Sequence, residues 1–149
     1  MDKLQISVKK LYSDALLPVY ATDGAAGCDL YLYADTPVTI PPGATVLLHT
    51  GLAFAIPEGY GGFVFARSGL AAKRGLAPAN KVGVIDSDYR GEVMIAMHNA
   101  SAVSQTLESG ERIAQMVFLP VSSAAFAEVD DLESTLRGSG GFGSTGTRR

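Results

Sequence analysis

Cysteine occurs once in this sequence, at Cys28, so no disulfide can form within the chain, and nothing else in it suggests secretion. Long apolar runs are missing too. No stretch is apolar for long enough to span a membrane. Met1-Asp2-Lys3-Leu4-Gln5 has no long apolar run behind its charges, which argues against a signal peptide. The expected compartment is therefore the cytoplasm, or the nucleus in a eukaryote. A strong charge of one sign is also lacking. The formal net charge is −3, which gives no sequence-wide attraction for nucleic acid, so any polyanion must be held by a few placed basic groups. The only histidines, His49 and His98, stand far apart and form no zinc pattern, and both read as strand or core-edge residues. No internal repeat of fixed period is present.

Apolar residues are plentiful. They make up 47% of 149 residues against 18% charged, the balance of one globular domain with a real core. Seventeen glycines and seven prolines cut the chain into short pieces. Those pieces read as strands over residues 5–10, 28–33, 38–40, 45–48, 52–56, 62–66, 92–99 and 113–121. Many short strands with turn signals between them predict an all-β, jelly-roll-like sandwich or barrel. One short helix is expected at Ser68-Gly69-Leu70-Ala71-Ala72-Lys73-Arg74-Gly75, opening on a serine N-cap and stopping at glycine. A weaker helical pattern covers 131–136. Residues 1–136 form the β domain. Residues 137–149 form a Gly-rich C-terminal tail of Gly, Ser, Thr and Arg, with Phe142 its only large apolar group. Composition alone makes that tail a flexible, disordered end. A lone phenylalanine among glycines, bracketed by Arg137 and Ser144-Thr145, also has the form of a ring and a phosphate cradle on a strap.

Five segments carry candidate chemistry, each beside a plainer reading. In Arg67-Ser68-Gly69, free N–H groups at a helix start, a glycine that admits close approach and a guanidinium fork suit a phosphate. The same residues make an ordinary capped turn with a surface arginine. In Asn80-Lys81-Val82-Gly83-Val84-Ile85-Asp86-Ser87-Asp88-Tyr89-Arg90-Gly91-Glu92, an apolar run leads into acids and a glycine. This has the form of a β-hairpin with a loaded tip, where a carboxylate can take a proton from water. Asp86, Ser87 and Asp88 are also turn formers. Asp86 directly after Val84-Ile85 is expected to be buried. In Gly110-Glu111-Arg112-Ile113-Ala114-Gln115-Met116, Gln115 faces either water or a cleft. Asp29, within Asp23-Gly24-Ala25-Ala26-Gly27-Cys28-Asp29-Leu30, is either a turn acid or a holder of a hard cation, directly or through water. The tail, with Gly138, Gly143 and Ser144-Thr145, lacks the lysine and the strand–loop–helix context of a P-loop. Glycine N–H groups and hydroxyls can still surround phosphate there.

Taken in order, these segments resemble the trimeric dUTP pyrophosphatase (dUTPase) family over nearly the whole chain, from about Ala21 to Thr145. Ala26-Gly27-Cys28-Asp29-Leu30 looks like the first family motif and Arg67-Ser68-Gly69-Leu70-Ala71 like the second. The third is Gly83 through Gly91, the fourth Gly110-Glu111-Arg112-Ile113-Ala114-Gln115, and the fifth Arg137-Gly138-Ser139-Gly140-Gly141-Phe142-Gly143-Ser144-Thr145-Gly146. Cys28 stands where the family usually has an aromatic residue, and Ala66 where proline commonly precedes the arginine. Both departures bear on local packing.

The resemblance implies a homotrimer with shared active sites. The first, second and fourth motifs come from one subunit, the third from a neighbour and the tail from the remaining one. It implies hydrolysis of dUTP to dUMP and pyrophosphate with Mg2+, limiting uracil in DNA and supplying dUMP for dTMP synthesis. Asp86 orients and deprotonates the attacking water. Asp29 helps hold the ion through water. Arg67, Ser68, Gly69 and Gln115 bind the phosphates from one side, and Arg137, Gly143, Ser144 and Thr145 close from the other. Asn80 with the backbone of Gly83, Val84, Ile85 and Asp86 reads the uracil edge. Tyr89 lies under the deoxyribose, Met94 is a nearby contact, and Phe142 stacks on the base. No direct nucleic-acid partner and no membrane are implied. Two other readings stand beside this one. A dCTP deaminase-like enzyme shares the general fold, but looks different around the third motif and lacks the Phe142 tail. A nucleotide-gated regulatory protein would use the same site as a switch.

Overall fold

The computed structural model describes residues 3–141. In chain order the elements are β1 (Ser7–Lys10), β2 (Cys28–Tyr31), β3 (Val38–Ile40), β4 (Thr45–Ala55), β5 (Tyr60–Phe65), α1 (Ser68–Arg74), β6 (Leu76–Pro78), β7 (Gly83–Ile85), β8 (Glu92–Asn99), β9 (Gln105–Leu107) and β10 (Arg112–Pro120). Two four-stranded antiparallel sheets, ordered β1-β4-β8-β6 and β2-β10-β5-β7, are joined by a two-stranded β3-β9 ribbon. This is the all-β sandwich with one short helix that the strand pattern predicts. β8 shows why it forms. Val93, Ile95, Met97 and Asn99 point inward and alternate with Glu92, Met94, Ala96 and His98. The core gathers Leu48, Phe54 and Met97 from one sheet, Leu30, Ile113 and Met116 from the other, and Ile40 and Leu107 from the ribbon. Each fully buried side chain of this size contributes about 2 kcal/mol. No helix among the described residues is long and apolar enough to cross a membrane.

The structure corrects several expected boundaries. Residues 45–48 and 52–56 are not two strands. They belong to β4, which is continuous except for a bulge between His49 and Ala53. Gly51 sits in the bulge at φ 69°, and a Cβ there would lie 2.8 Å from that of Ala15, so the glycine between the two expected strands is the residue that lets the strand kink. β6 and β9 were not expected, and β7 is the first arm of the expected hairpin. Each has three residues, too few to show a period, and is held by its partners. Residues 131–136 form no helix. They lie exposed and make no apolar contact that would offset the cost of nucleating one.

Helix α1 is short and is held by its surroundings. Leu70 is buried beneath it, Gly75 ends it in the left-handed conformation, and Lys73 and Arg74 lie in its last turn. Arg74 ties the helix across to Gln105 Oε1 (3.0 Å) and Glu111 Oε2 (3.1 Å). The N-cap is Arg67, with no side-chain cap, and Ser68 is already helical. The expected serine cap is therefore absent. Arg67, two residues past the end of β5, keeps the extended conformation, which places the cap one residue earlier.

Candidate active site

Three of the predicted site residues come together across one sheet. In β10, Gln115 pairs with Asp29 of β2 on one side and with Phe65 of β5 on the other, so the first, second and fourth motifs meet in a single row. Gln115 Nε2 donates to the Ala66 carbonyl at 2.9 Å, fixing the peptide just before Arg67. Gly27 leaves the space this needs, since a Cβ there would stand 3.0 Å from Gln115 Oε1. The side chain thus crosses the strand end rather than facing open water.

Asp29 is buried at 8% exposure and sits between two arginines. Its Oδ1 accepts from Arg67 Nε at 2.8 Å and its Oδ2 lies 3.3 Å from Arg112 Nη1. Arg112 is a residue to which sequence reasoning gave no role, because its partner stands 83 positions away and no local pattern joins them. Two carboxylates, Asp29 and Glu111, against three guanidiniums, Arg67, Arg112 and Arg74, leave one positive charge in excess around a cleft. Its volume is about 390 Å³, and Tyr31, Arg67, Leu70, Gly110, Glu111 and Arg112 line it. Ser68 and Gly69 are exposed at its edge, and a Cβ on Gly69 would meet nothing within 4 Å. Own-chain packing therefore does not explain that glycine, whereas a ligand approaching the helix start does.

The third motif is built elsewhere. β7 pairs with β5 in the register Gly62↔Ile85, Phe63↔Val84 and Val64↔Gly83, while β8 pairs with β4 and β6. The two arms of the expected hairpin therefore enter different sheets. β5 offers an open edge to β7, and the alternating apolar face of β8 belongs to the other layer. Asp86 is exposed, against the expectation of burial, because the chain leaves the sheet directly after Ile85. The loop is braced from within. Tyr89 N donates to the Asp86 carbonyl at 3.2 Å, and Arg90 Nη1 donates to the carbonyls of Ser87 (2.6 Å) and Tyr89 (2.9 Å). Arg90 is thus a loop brace that sequence reasoning did not single out. Asp86, Ser87, Asp88 and the exposed Val84 line a second concavity of about 820 Å³, together with Glu58, Tyr60, Phe63 and others. β7 is the last strand of its sheet, so its outer row of N–H and C=O groups is unpaired among the described residues. Asn80 lies in the turn three residues before this strand, its Nδ2 beside Gly83.

These two regions do not meet within one chain. Antiparallel pairing places Ile85, directly before Asp86, opposite Gly62, toward the far end of β5 from Arg67. At about 3.3 Å per residue, the separation is on the order of 20 Å. Met94 lies in neither concavity. It sits half-buried on the outer face of β8, opposite His49 of β4 in the same sheet. Arg137 is described, with Nε donating to the Gly140 carbonyl at 2.8 Å. Phe142, Gly143, Ser144 and Thr145 lie outside the described residues. Among the described residues no group of three or more His, Cys, Asp or Glu side chains could hold a metal ion. Asp29, with both oxygens engaged by arginines, suits a cation only through that cation's water shell. His49 and His98 are strand residues, as expected, bonded to Glu92 and Thr45. Cys28 is buried against the Met116 carbonyl, and burial pushes its thiol above the usual range, so it stays neutral and inert.

A family model described as dUTPase matches residues 13–146. The chain is 52% identical over 149 residues to the deoxyuridine 5'-triphosphate nucleotidohydrolase of Desulfitobacterium hafniense, covering 98% of this chain and 99% of that one. It is 48% identical over 141 residues to the protein of the same name from Hahella chejuensis, covering 94% and 93%. Among solved structures, the dUTPase of Staphylococcus bacteriophage 80alpha with dUpNHpp superposes at a TM-score of 0.89. That likeness has 29% identity and covers 97% of this chain and all of the phage chain.

Proposed function

The chain belongs to the dUTPase family, and from that premise we propose how its residues hydrolyse dUTP to dUMP and pyrophosphate. Asp86 takes a proton from a water that attacks the α-phosphorus in line. The new bond joins the water oxygen to that phosphorus, and the bond to the α,β-bridging oxygen breaks as pyrophosphate leaves. Arg67 and the N–H groups of Ser68 and Gly69 hold the phosphate chain. Gln115 fixes the Arg67 peptide, and Asp29 fixes the guanidinium. Asn80 and the free edge of β7 read the uracil, a use for backbone groups that no neighbouring strand claims. A site that pairs a polar edge rejects the wrong base because its own groups are left unpaired. Tyr89 lies under the deoxyribose and leaves no room for a 2′-hydroxyl. Met94 is a peripheral contact. Arg137, Phe142, Gly143, Ser144 and Thr145 close over the base and the γ-phosphate. A Mg2+ ion suits this site as one carried on the triphosphate, reached by Asp29 through water, and when bound it offsets the charge of the phosphate oxygens.

The single observation that carries this reading is the positive cleft in which Asp29 holds Arg67 and Arg112 beside Gln115. Two further observations support sites shared between chains, an assembly that the family resemblance makes a homotrimer. The Asp86 loop and Arg67 stand on the order of 20 Å apart in one chain, so one α-phosphate meets both only if two chains supply them. Residues 121–141 also extend without regular structure and carry Phe126, Leu132 and Leu136 at 96%, 88% and 112% exposure, apolar surface that a neighbour would cover. The working compartment is then the cytoplasm, where the nucleotide substrate is. The test is pyrophosphate release from dUTP, dCTP, dTTP and UTP with magnesium and then with EDTA. Release from dUTP alone, lost in EDTA, is expected. Ammonia from dCTP, or no release from dUTP, would reject the reading.

A further inference from the structure

The loop from Asp86 to Gly91 ends on a seat for the Tyr89 ring. The Tyr89 hydroxyl donates to the Glu92 carbonyl at 2.9 Å. A Cβ placed on Gly91 would stand 2.6 Å from Tyr89 Cζ and 2.9 Å from Cε2, so the ring lies on the bare backbone of Gly91. Gly91 is not among the glycines with positive φ. Its missing side chain therefore serves the ring and not the backbone conformation. The ring nevertheless remains 41% exposed, with a face open to a ligand.

Glu92 is itself fastened from the other side. Its Oε1 accepts from the Gly51 N–H at 2.8 Å and its Oε2 pairs with His49 Nδ1 at 2.9 Å. Both partners belong to the bulge of β4. Thr50 Oγ1 completes that bulge by donating to the Val93 carbonyl at 2.6 Å. The peptide that holds the tyrosine hydroxyl is thus anchored to the opposite strand through its own side chain. Bulges re-aim groups at the rims of sheets, and this one aims the strand end that receives Tyr89.

The structure assigns Gly91 and Glu92 as positioning residues that seat Tyr89 and so set discrimination between deoxyribose and ribose. The assignment rests on reading Tyr89 as the sugar contact. A carboxylate that only staples β4 to β8 would affect stability and both substrates alike, whereas a seat for the ring affects their ratio.

Both roles are separated by measuring kcat and KM for dUTP and for UTP, with a melting curve, in Gly91→Ala, Glu92→Ala, Glu92→Gln and Tyr89→Ala. Glutamine keeps an acceptor for the Gly51 N–H and alanine does not. Gly91→Ala and Glu92→Ala should lower the dUTP/UTP ratio of kcat/KM by about tenfold, chiefly through KM, and Glu92→Gln should restore it to within about threefold of the parent. Should Glu92→Ala not fold, Gly91→Ala decides alone, since its methyl strikes the ring. A ratio lowered in Tyr89→Ala but unchanged in Gly91→Ala and in folded Glu92→Ala would overturn the seat while sparing the sugar contact. A ratio unchanged in Tyr89→Ala would instead remove the sugar contact, and the seat with it. Failure of Glu92→Gln to restore the ratio also overturns it.

Discussion

The arginine cleft and the acid loop are assembled on different principles. In the cleft, nearly every polar group is already engaged. Asp29 is bonded to Arg67 and Arg112, Gln115 to the Ala66 carbonyl, and Arg74 to Gln105 and Glu111. Asp29, Arg112 and Gln115 stand on the adjacent strands β2 and β10, and Arg67 lies just past β5, so the core that fixes these strands also fixes them. In the loop the backbone is braced by Arg90 and Tyr89, but the carboxylate of Asp86 is exposed and has no hydrogen bond or ion pair among the described residues. A phosphate site gains from charges held in place before the ligand arrives, because no reorganisation is then needed. A base gains from a carboxylate free to accept a proton. On the proposed reading, the rigid half receives substrate and the other half presents its carboxylate outward, to a surface that another chain would supply.

That contrast can be broken in order of effect. Asp86→Asn should lower kcat by about 10²- to 10⁴-fold with little change in KM, since an amide accepts no proton at neutral pH. Steady-state kinetics on dUTP check it, and near-normal turnover would remove Asp86 from its role. Deleting residues 138–149 should leave an oligomer that sediments like the parent and retains little activity. Full activity in that variant would leave the tail without a part in the site. Asp29→Ala strikes the rigid half. It leaves two guanidiniums unpaired in one cleft and should cost about 2 kcal/mol, discounted for their exposure. Thermal melting should show a fall of about 5 °C. A raised KM should accompany it, and an unchanged KM would mean that Asp29 does not position Arg67. The smallest effect sharpens the comparison. Cys28 is adjacent to Asp29 and buried, so a thiol reagent should label it only on unfolding, and Cys28→Ala should change turnover by less than about twofold.

Much of the sandwich was readable in advance. The breakers at Pro41-Pro42-Gly43 and Pro57-Glu58-Gly59 and the apolar run from Val93 to Met97 mark turns and a strand that the structure contains. What was not readable is non-local. Residues 45–48 and 52–56 read as two strands, with Gly51 between them. Only Glu92, 41 positions on, shows that the glycine is held inside a bulge. The Asp29, Arg67 and Arg112 group followed the same rule. Each residue stood in a visible motif, yet their pairing depends on β10 lying between β2 and β5, which no local pattern states. The burial expected of Asp86 failed for a related reason. Val84-Ile85 is apolar in the manner of a core strand, but β7 is an edge strand with Val84 61% exposed. Resemblance to the family carried the remaining assignments, and local residue chemistry alone left each of them open.

The most direct measurement is complementation between two inactive variants. Arg67→Ala and Asp86→Asn, carrying different tags, would be co-expressed, and the mixed oligomer isolated by both tags. If each site of a trimer takes Arg67 from one chain and Asp86 from another, one site in three of every mixed trimer, about a third of the sites, holds both native residues. Turnover of dUTP should then return to that fraction of the parent. Turnover no higher than that of the two separate variants, in an oligomer shown to contain both chains, would contradict shared sites.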